Sequence, residues 1–294
     1  MNDLEAFLNY LELEKHYSVH TVKAYKKDLE SFKLFVTEQT FNKPDIIIYG
    51  DIRSWIIDMV NSQISNRSIN RKVSSLNSYF KFLIKIERCK VNPLKKHKAL
   101  KVEKTIQIPF SESEMIQVLD ELSESDDFVS IRNKAIVELF YTTGIRRIEL
   151  VELKLSDINW SNSTIKVLGK RNKERIIPLI PSVISTLKTY INLRSGVELV
   201  DSEVLFITEK GAKIYEMLVY RIINKYFSRA SSKLKCSPHV LRHSFATHLL
   251  NEGADINSVK ELLGHASLAA TQVYTHNSIA ELKKAYNRSH PRNQ

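Results

Sequence analysis

Leu4, Phe7, Leu8 and Leu11 open the chain at spacings that line one face of a helix. The same rhythm of three and four recurs in Val22, Tyr25, Leu29, Phe32 and Val36, then in Ile52, Trp55, Ile56 and Met59. It returns once more in Ile69, Val73, Leu76, Phe80 and Leu83, preceded by I-S-N-R-S, whose serines and asparagine offer helix caps. The pattern predicts four amphipathic helices joined by short loops over the first ~86 residues, enough to close a small bundle.

Past residue 87 the rhythm stops. R-C-K-V-N-P-L-K-K-H-K-A-L-K-V-E-K, residues 88–104, carries seven Lys or Arg against one acid, and Pro93 interrupts any helix. A basic linker is expected there. Periodicity resumes at P-F-S-E-S-E-M-I-Q-V-L, where Ser111 and Glu114 fit a capping box. I-R-N-K-A-I-V-E-L-F-Y-T-T-G is a further helix, stopped by Gly144. Then the period changes. S-T-I-K-V-L-G-K-R-N-K-E-R-I-I-P-L reads as strand, polar turn, strand, and E-V-L-F-I-T as another strand. Helices are expected from Tyr215 to the end. The expected fold is mainly α (α+β). A four-helix bundle spans 1–87, the linker 88–104, and a mostly helical domain with a small antiparallel sheet 105–294.

Composition narrows the partners. The 294 residues are 43% hydrophobic and 26% charged, the balance of a folded chain, and seven Gly and seven Pro exclude collagen-like and disordered classes. A net charge of +11 favours a polyanion, nucleic acid before membrane. Cys89 and Cys236 are far apart with no C-x-x-C, against a disulfide framework or a thiolate zinc site. No run approaches 18 apolar residues, and M-N-D-L-E-A-F-L-N-Y-L-E-L-E-K-H-Y lacks the apolar run of a signal peptide. No membrane partner is expected, and the cytoplasm is the default location. Lys23, Lys26 and Lys27 fall on the polar side of the second helix, and Arg67, Arg71 and Lys72 on the fourth. With Lys95 and Lys96 of the linker they are candidate DNA contacts; a solvated charged face is the alternative for each.

P-H-V-L-R-H-S-F-A-T-H-L-L, residues 238–250, sets three histidines and an arginine into a helix otherwise patterned for burial. His239 and His243, at i and i+4, could share a metal. The helix has no H-E-x-x-H and no carboxylate, and Arg242 would put a cation beside the ion, so no metal or other cofactor is expected. His243 and His248 are expected to satisfy hydrogen bonds around a core. His239 and Arg242, at i and i+3, share a face away from Leu241, Phe245 and Leu249. An arginine there needs an anion, and a phosphate fits its planar fork. Arg146, just past Gly144, starts another helix, whose N-terminus also favours phosphate. Glu149 could pair with Arg146 or Arg147 instead. Lys170 in the hairpin turn, His265 in L-L-G-H-A-S and Tyr274 in T-Q-V-Y-T-H each read, singly, as ordinary surface or packing residues.

Jointly they do not. T-G-I-R-R-I-E-L, G-K-R-N-K-E-R, H-V-L-R-H-S-F-A-T-H, L-L-G-H-A-S and T-Q-V-Y-T-H follow one another in an order that resembles the tyrosine recombinases of the phage-integrase family. Within them the chain resembles the Xer-type chromosome dimer resolution recombinases, over essentially its whole length. The resemblance implies six catalytic residues: Arg146 (selected over Arg147 by the glycine spacing), Lys170, His239, Arg242, His265 and the nucleophile Tyr274. It implies attack by Tyr274 on a DNA phosphorus, a 3′-phosphotyrosyl link and a freed 5′-hydroxyl, without metal or ATP. Arg146 and Arg242 would hold the non-bridging oxygens, Lys170 would act as general acid, His239 as base and His265 as hydrogen-bond donor.

The resemblance further implies a tetramer on double-stranded recombination sites, built from one recombinase or from two related ones, with a DNA translocase as activator in relatives. Bundle and catalytic domain would close around the duplex as a clamp. A C-terminal exchange tail, with Leu282, Ala285 and Tyr286, would dock on a neighbouring protomer. The alternatives are a mobile-element integrase with the same chemistry, a type IB topoisomerase, and a DNA-binding protein without catalysis. The bundle and tail argue against the topoisomerase, and the complete set of six residue types argues against the last.

Overall fold

The computed structural model describes residues 2–103, 108–169, 173–198, 203–231 and 236–264. Residues 1–105 and 106–294 form two compact units.

In the first unit, helix α1 (Asp3–Asn9) is opened by Asn2, whose side chain accepts from the Leu4 N–H while Glu5 reaches back to the Asn2 N–H. It continues as a five-residue π-helical turn, Tyr10–Glu14. Ser18 caps α2 (Val19–Val36), and Thr37 caps the single turn α3 (Glu38–Phe41). After a 3-10 turn at Pro44–Ile46 come α4 (Tyr49–Asn61) and α5 (Asn66–Lys85), the latter capped by Ser65. The four expected helices are therefore present, with α3 an added turn between the second and third. Their stripes make the core: Phe7, Leu29, Phe32, Ile52, Trp55, Ile69, Leu76, Phe80 and Leu83 are nearly inaccessible. Burying each such side chain contributes roughly 1.5–3 kcal/mol. Phe32 meets Trp55 edge-on at 4.9 Å between ring centroids, a favoured aromatic geometry.

The basic stretch after α5 packs against this bundle. Cys89 and Leu94 are buried in its core. Asn70 of α5 donates to the Leu100 carbonyl (2.8 Å) and accepts from the Leu100 N–H (2.9 Å), and Asn66 donates to the Lys101 carbonyl (2.8 Å). The backbone is thus pinned by asparagine amides while Lys95 and Lys96 remain exposed.

The second unit begins with α6 (Glu112–Glu121), opened by the Ser111–Glu114 capping box. Helix α7 (Phe128–Thr143) follows, and its residues are buried on nearly every side. Such a helix sits inside its domain. Then come α8 (Arg147–Glu152) and a three-stranded antiparallel sheet of β1 (Ile158–Asn159), β2 (Thr164–Leu168) and β3 (Glu174–Pro178), in that order. Val167 faces Arg175 and Leu168 faces Glu174 across the hairpin. Helices α9 (Pro181–Arg194), α10 (Glu216–Ala230), α11 (Pro238–Asn251) and α12 (Ile256–Leu263) complete the described part. No described helix is long and apolar enough to cross a membrane.

Two expectations change here. E-V-L-F-I-T does not join the sheet; the third strand is β1. Val204 and Ile207 make isolated bridges to Lys154 and Lys213. The Leu205 N–H bonds the Leu153 carbonyl, while Phe206 accepts from Ile214 on the other side. Paired to different neighbours in turn, this run is a buried connector rather than a strand. Helix α9 had not been expected, although Pro181 at its first turn and buried Val183, Leu187 and Tyr190 carry the helical spacing.

Candidate active site

Gly144 ends α7 in the left-handed conformation, φ +57°. A Cβ there would lie 2.5 Å from Phe245 Cδ1 and 2.7 Å from Leu263 Cδ2, so only glycine lets the ends of α7 and α12 meet against the middle of α11. That meeting brings Arg146 and Arg242 to one place. Arg146 caps α8, and its N–H bonds Glu149 Oε2 at 2.8 Å. Its Nη1 donates to Glu149 Oε1 (2.7 Å) and its Nη2 to the Gly264 carbonyl (3.1 Å). Arg242, on the polar side of α11, donates through Nη1 to the Gly144 carbonyl and through Nη2 to the Leu263 carbonyl (2.6 Å).

A third arginine, Arg175 of β3, completes the cluster. Its Nε donates to the Leu262 carbonyl at 2.9 Å, and its two terminal nitrogens form a fork on Glu149 at 3.0 and 2.7 Å. Arg175, Arg242 and Arg146 therefore take the carbonyls of residues 262, 263 and 264 in succession. These carbonyls lie at the C-terminus of α12, where the helix dipole favours cations. Glu149 is the carboxylate bonded within the group. Burial pushes its pKa up, but the bonds and charges of Arg175 and Arg146 outweigh that and bring it down to about 2. Three guanidiniums against one carboxylate leave a surplus of positive charge. Arg242 registers it: burial first, then repulsion from Arg146 and Arg175, lowers its pKa to about 10. An anion placed here would relieve that repulsion.

Exposure separates the members. The side chain of Arg146 is 33% accessible, those of Arg175 and Glu149 only 6% and 4%. Arg147 points elsewhere, bonding Glu216 of α10 through Nε at 2.7 Å. His239 lies in the first turn of α11, exposed. Lys170, His265 and Tyr274 lie outside the described residues, as does the tail with Leu282, Ala285 and Tyr286. His243 differs from expectation. It is exposed, because i+4 from His239 keeps it on the outer side of α11. His248 is buried, its Nδ1 2.9 Å from the Tyr141 hydroxyl, and burial lowers its pKa. Among the described residues no three His, Cys, Asp or Glu side chains gather as a metal site.

Arg175 and the double pairing of Glu149 were missed in the sequence. The available signal was register: Arg175 and Ile177 share one face of β3, and Ile177 is fully buried, so the arginine had to point inward too. In the first unit, Lys23, Lys26, Arg67 and Arg71 are exposed and Lys72 is half-buried. Arg71 has a structural partner as well, the carboxylate of buried Asp28.

The family model described as "Phage integrase family" matches residues 109–281, and the "Phage integrase, N-terminal SAM-like domain" matches residues 4–87. The tyrosine recombinase XerC of Anoxybacillus flavithermus is 39% identical, covering 98% of this chain and 97% of that protein. The tyrosine recombinase XerD of Staphylococcus haemolyticus is 36% identical over 98% of both. Among solved structures, the XerH site-specific recombinase bound to difH substrate in a pre-cleavage complex superposes with a TM-score of 0.69 at 25% identity, covering 96% of this chain and 82% of that one. The chain belongs to the phage integrase family, among its Xer-type tyrosine recombinases.

Proposed function

We propose that the arginine cluster holds the scissile phosphodiester of a recombination site, and that Tyr274 cuts it. As a tyrosine recombinase the chain is a DNA strand-transfer enzyme acting in site-specific recombination. The observation that carries the site assignment is the joint anchoring of Arg146 and Arg242 on the end of α12, with more positive charge than Glu149 neutralises.

The step balances within the protein and DNA. The Tyr274 oxygen forms a bond to phosphorus, and the bond from phosphorus to the 5′-oxygen breaks. The phenol, with an ordinary pKa of about 10, gives its proton to His239. The departing 5′-oxygen takes one from Lys170, and His265 donates a hydrogen bond to the phosphate. Arg146 and Arg242 stabilise the charge that builds on the non-bridging oxygens, the part a metal ion would otherwise play. The phosphotyrosyl link conserves the bond energy, so a second strand's 5′-hydroxyl reverses the step without ATP. Lys23, Lys26, Arg67, Arg71, Lys72, Lys95 and Lys96 would track the DNA backbone.

We assign the work to chromosome dimer resolution in the cytoplasm, by a tetramer of this chain alone or with a related recombinase. Similarity over nearly full length to proteins named XerC and XerD supports that assignment. The test is covalent trapping. Nicked DNA carrying a candidate chromosomal resolution site is incubated with the protein and EDTA. A covalent protein–DNA band, lost in Tyr274→Phe, is expected. Site-specific binding without a band, even with a partner recombinase added, would favour a non-catalytic DNA-binding protein.

A further inference from the structure

Two of the motif residues that flank the cluster, Gly264 and Glu149, are explained by a side chain that has no assigned part in the reaction. Gly169 stands immediately before Lys170 in the chain, and Gly264 immediately before His265. A Cβ on Gly169 would lie 3.5 Å from Arg175 Nη1, and one on Gly264 would lie 3.2 Å from Arg175 Cδ. Gly264 leaves room for the Arg175 side chain, while a Cβ on Gly169 would be in ordinary contact with it and would crowd the Lys173 carbonyl at 3.2 Å. Glu149, three residues past Arg146, receives that guanidinium on both of its oxygens.

All three nitrogens of Arg175 are committed: Nε to the Leu262 carbonyl, Nη1 and Nη2 to Glu149. The side chain is 6% accessible. Three of its five N–H donors are thus engaged, and a guanidinium this enclosed is not placed to hold a phosphate itself. What it does have is one rigid fork that ties β3 to α8 and to the last turn of α12. Glu149 Oε1 is shared, accepting from Arg175 Nη1 and from Arg146 Nη1. The last turn of α12 is shared as well, since Arg242 grips the carbonyl next to the one Arg175 holds.

We propose that Arg175 is a positioning residue for phosphate binding, fixing Arg146 through Glu149 and Arg242 through the C-terminus of α12. The proposal rests on the function assigned above. Lysine cannot replace this arginine, because one ammonium cannot span both carboxylate oxygens and the Leu262 carbonyl in a planar fork. Arg175→Lys keeps the charge beside Glu149 and loses the geometry.

The experiment compares wild type and Arg175→Lys in single-turnover cleavage of nicked site DNA at saturating protein. Two scissile groups are used, the ordinary phosphodiester and a methylphosphonate, in which one charged oxygen is replaced by a neutral methyl. Thermal melting and gel-shift affinity are measured alongside. A misplacement of about 1 Å costs on the order of 10²-fold, so Arg175→Lys is expected to cleave the phosphodiester about 10²-fold more slowly. It is expected to stay folded and to bind DNA as the wild type does. The methylphosphonate carries one negative charge fewer in both the ground and the transition state, so the arginines have less to neutralise and the deficit should shrink to roughly a few-fold.

A folded Arg175→Lys that cleaves the phosphodiester at the wild-type rate overturns the proposal. So does a deficit of equal size on both substrates, which would mark a merely structural loss. If Arg175→Lys does not fold, Gly169→Ala applies the same test with every charge retained, since its Cβ crowds the Lys173 carbonyl at 3.2 Å, next to the strand that carries Arg175, and touches Arg175 Nη1 at 3.5 Å. The same pattern in it supports the proposal, and wild-type rates overturn it. Failure of the wild-type protein to form a Tyr274 link to either substrate would instead overturn the assigned function, and the positioning role with it.

Discussion

Each unit of this chain buries a carboxylate against arginine, and the two pairings are built for different ends. In the first unit Asp28 is almost inaccessible, and one of its oxygens accepts from Arg71 and from the Ser75 hydroxyl. The Arg71 side chain is 52% accessible, and its charge is answered locally. In the second unit Glu149 meets two arginines, with Arg242 close enough to feel both. The first arrangement ties one exposed surface cation to a carboxylate that answers its charge; the second leaves an unneutralised positive pocket anchored on backbone carbonyls. Phosphate tracking needs only the former, since counterion release is insensitive to exact placement. Stabilising a transition state needs the latter, because its donors must be in place before the charge develops.

The comparison breaks most readily at Arg146. Arg146→Ala is expected to slow single-turnover cleavage about 10²–10³-fold, with DNA affinity little changed. Quenched-flow or manual trapping on nicked DNA reads the rate. An equal loss of binding and cleavage would instead place Arg146 with the tracking cations.

A smaller effect sits on Glu149. Its folded pKa of about 2 lies below its ordinary 4.5, so the stability it contributes is fully present above pH 4.5 and drains away as pH falls towards 2. The displacement corresponds to roughly 3 kcal/mol. Urea unfolding at pH 6, 4 and 3 should show this acid loss in the wild type and a flatter profile in Glu149→Gln. Parallel profiles would mean that the carboxylate is not held by the arginines. The smallest change belongs to Lys95 and Lys96. Each alanine substitution should reduce the salt slope of DNA binding by about one phosphate's worth and leave the cleavage rate at saturation unchanged. An unaltered slope would leave them as solvating charges.

Much of this was legible before any coordinates. The helical stripes of the bundle became its core, with Leu8, Val22, Tyr25 and Val36 only partly buried against it, and Gly144 was visible as a helix stop because glycine takes the left-handed cap without a Cβ penalty. The pairing of Arg146 with Arg242 could be anticipated only through the order of the motifs. They are 96 residues apart by number, and what joins them is Phe245 and Leu263 packing on a glycine. Arg175 was hidden for a different reason. In a hairpin dense with Lys and Arg, composition suggests a solvated tip, and only the strand register shows that this one cation shares a face with Ile177. E-V-L-F-I-T misled because consecutive burial suits a strand and a buried connector equally. His243 misled because histidine on a core-forming helix is read as core until the helix face is known.

The contrast between the two buried carboxylates is tested most directly by exchanging their arginines' fates. Arg242→Ala and Arg71→Ala would each be measured for DNA affinity and for single-turnover cleavage at saturating protein, on the same nicked site. Arg242→Ala should lose cleavage by about 10²-fold or more while still binding, and Arg71→Ala should weaken binding yet cleave at the wild-type rate once bound. The reverse pattern, with cleavage surviving in Arg242→Ala and lost in Arg71→Ala, would contradict the placement of the phosphate on the end of α12.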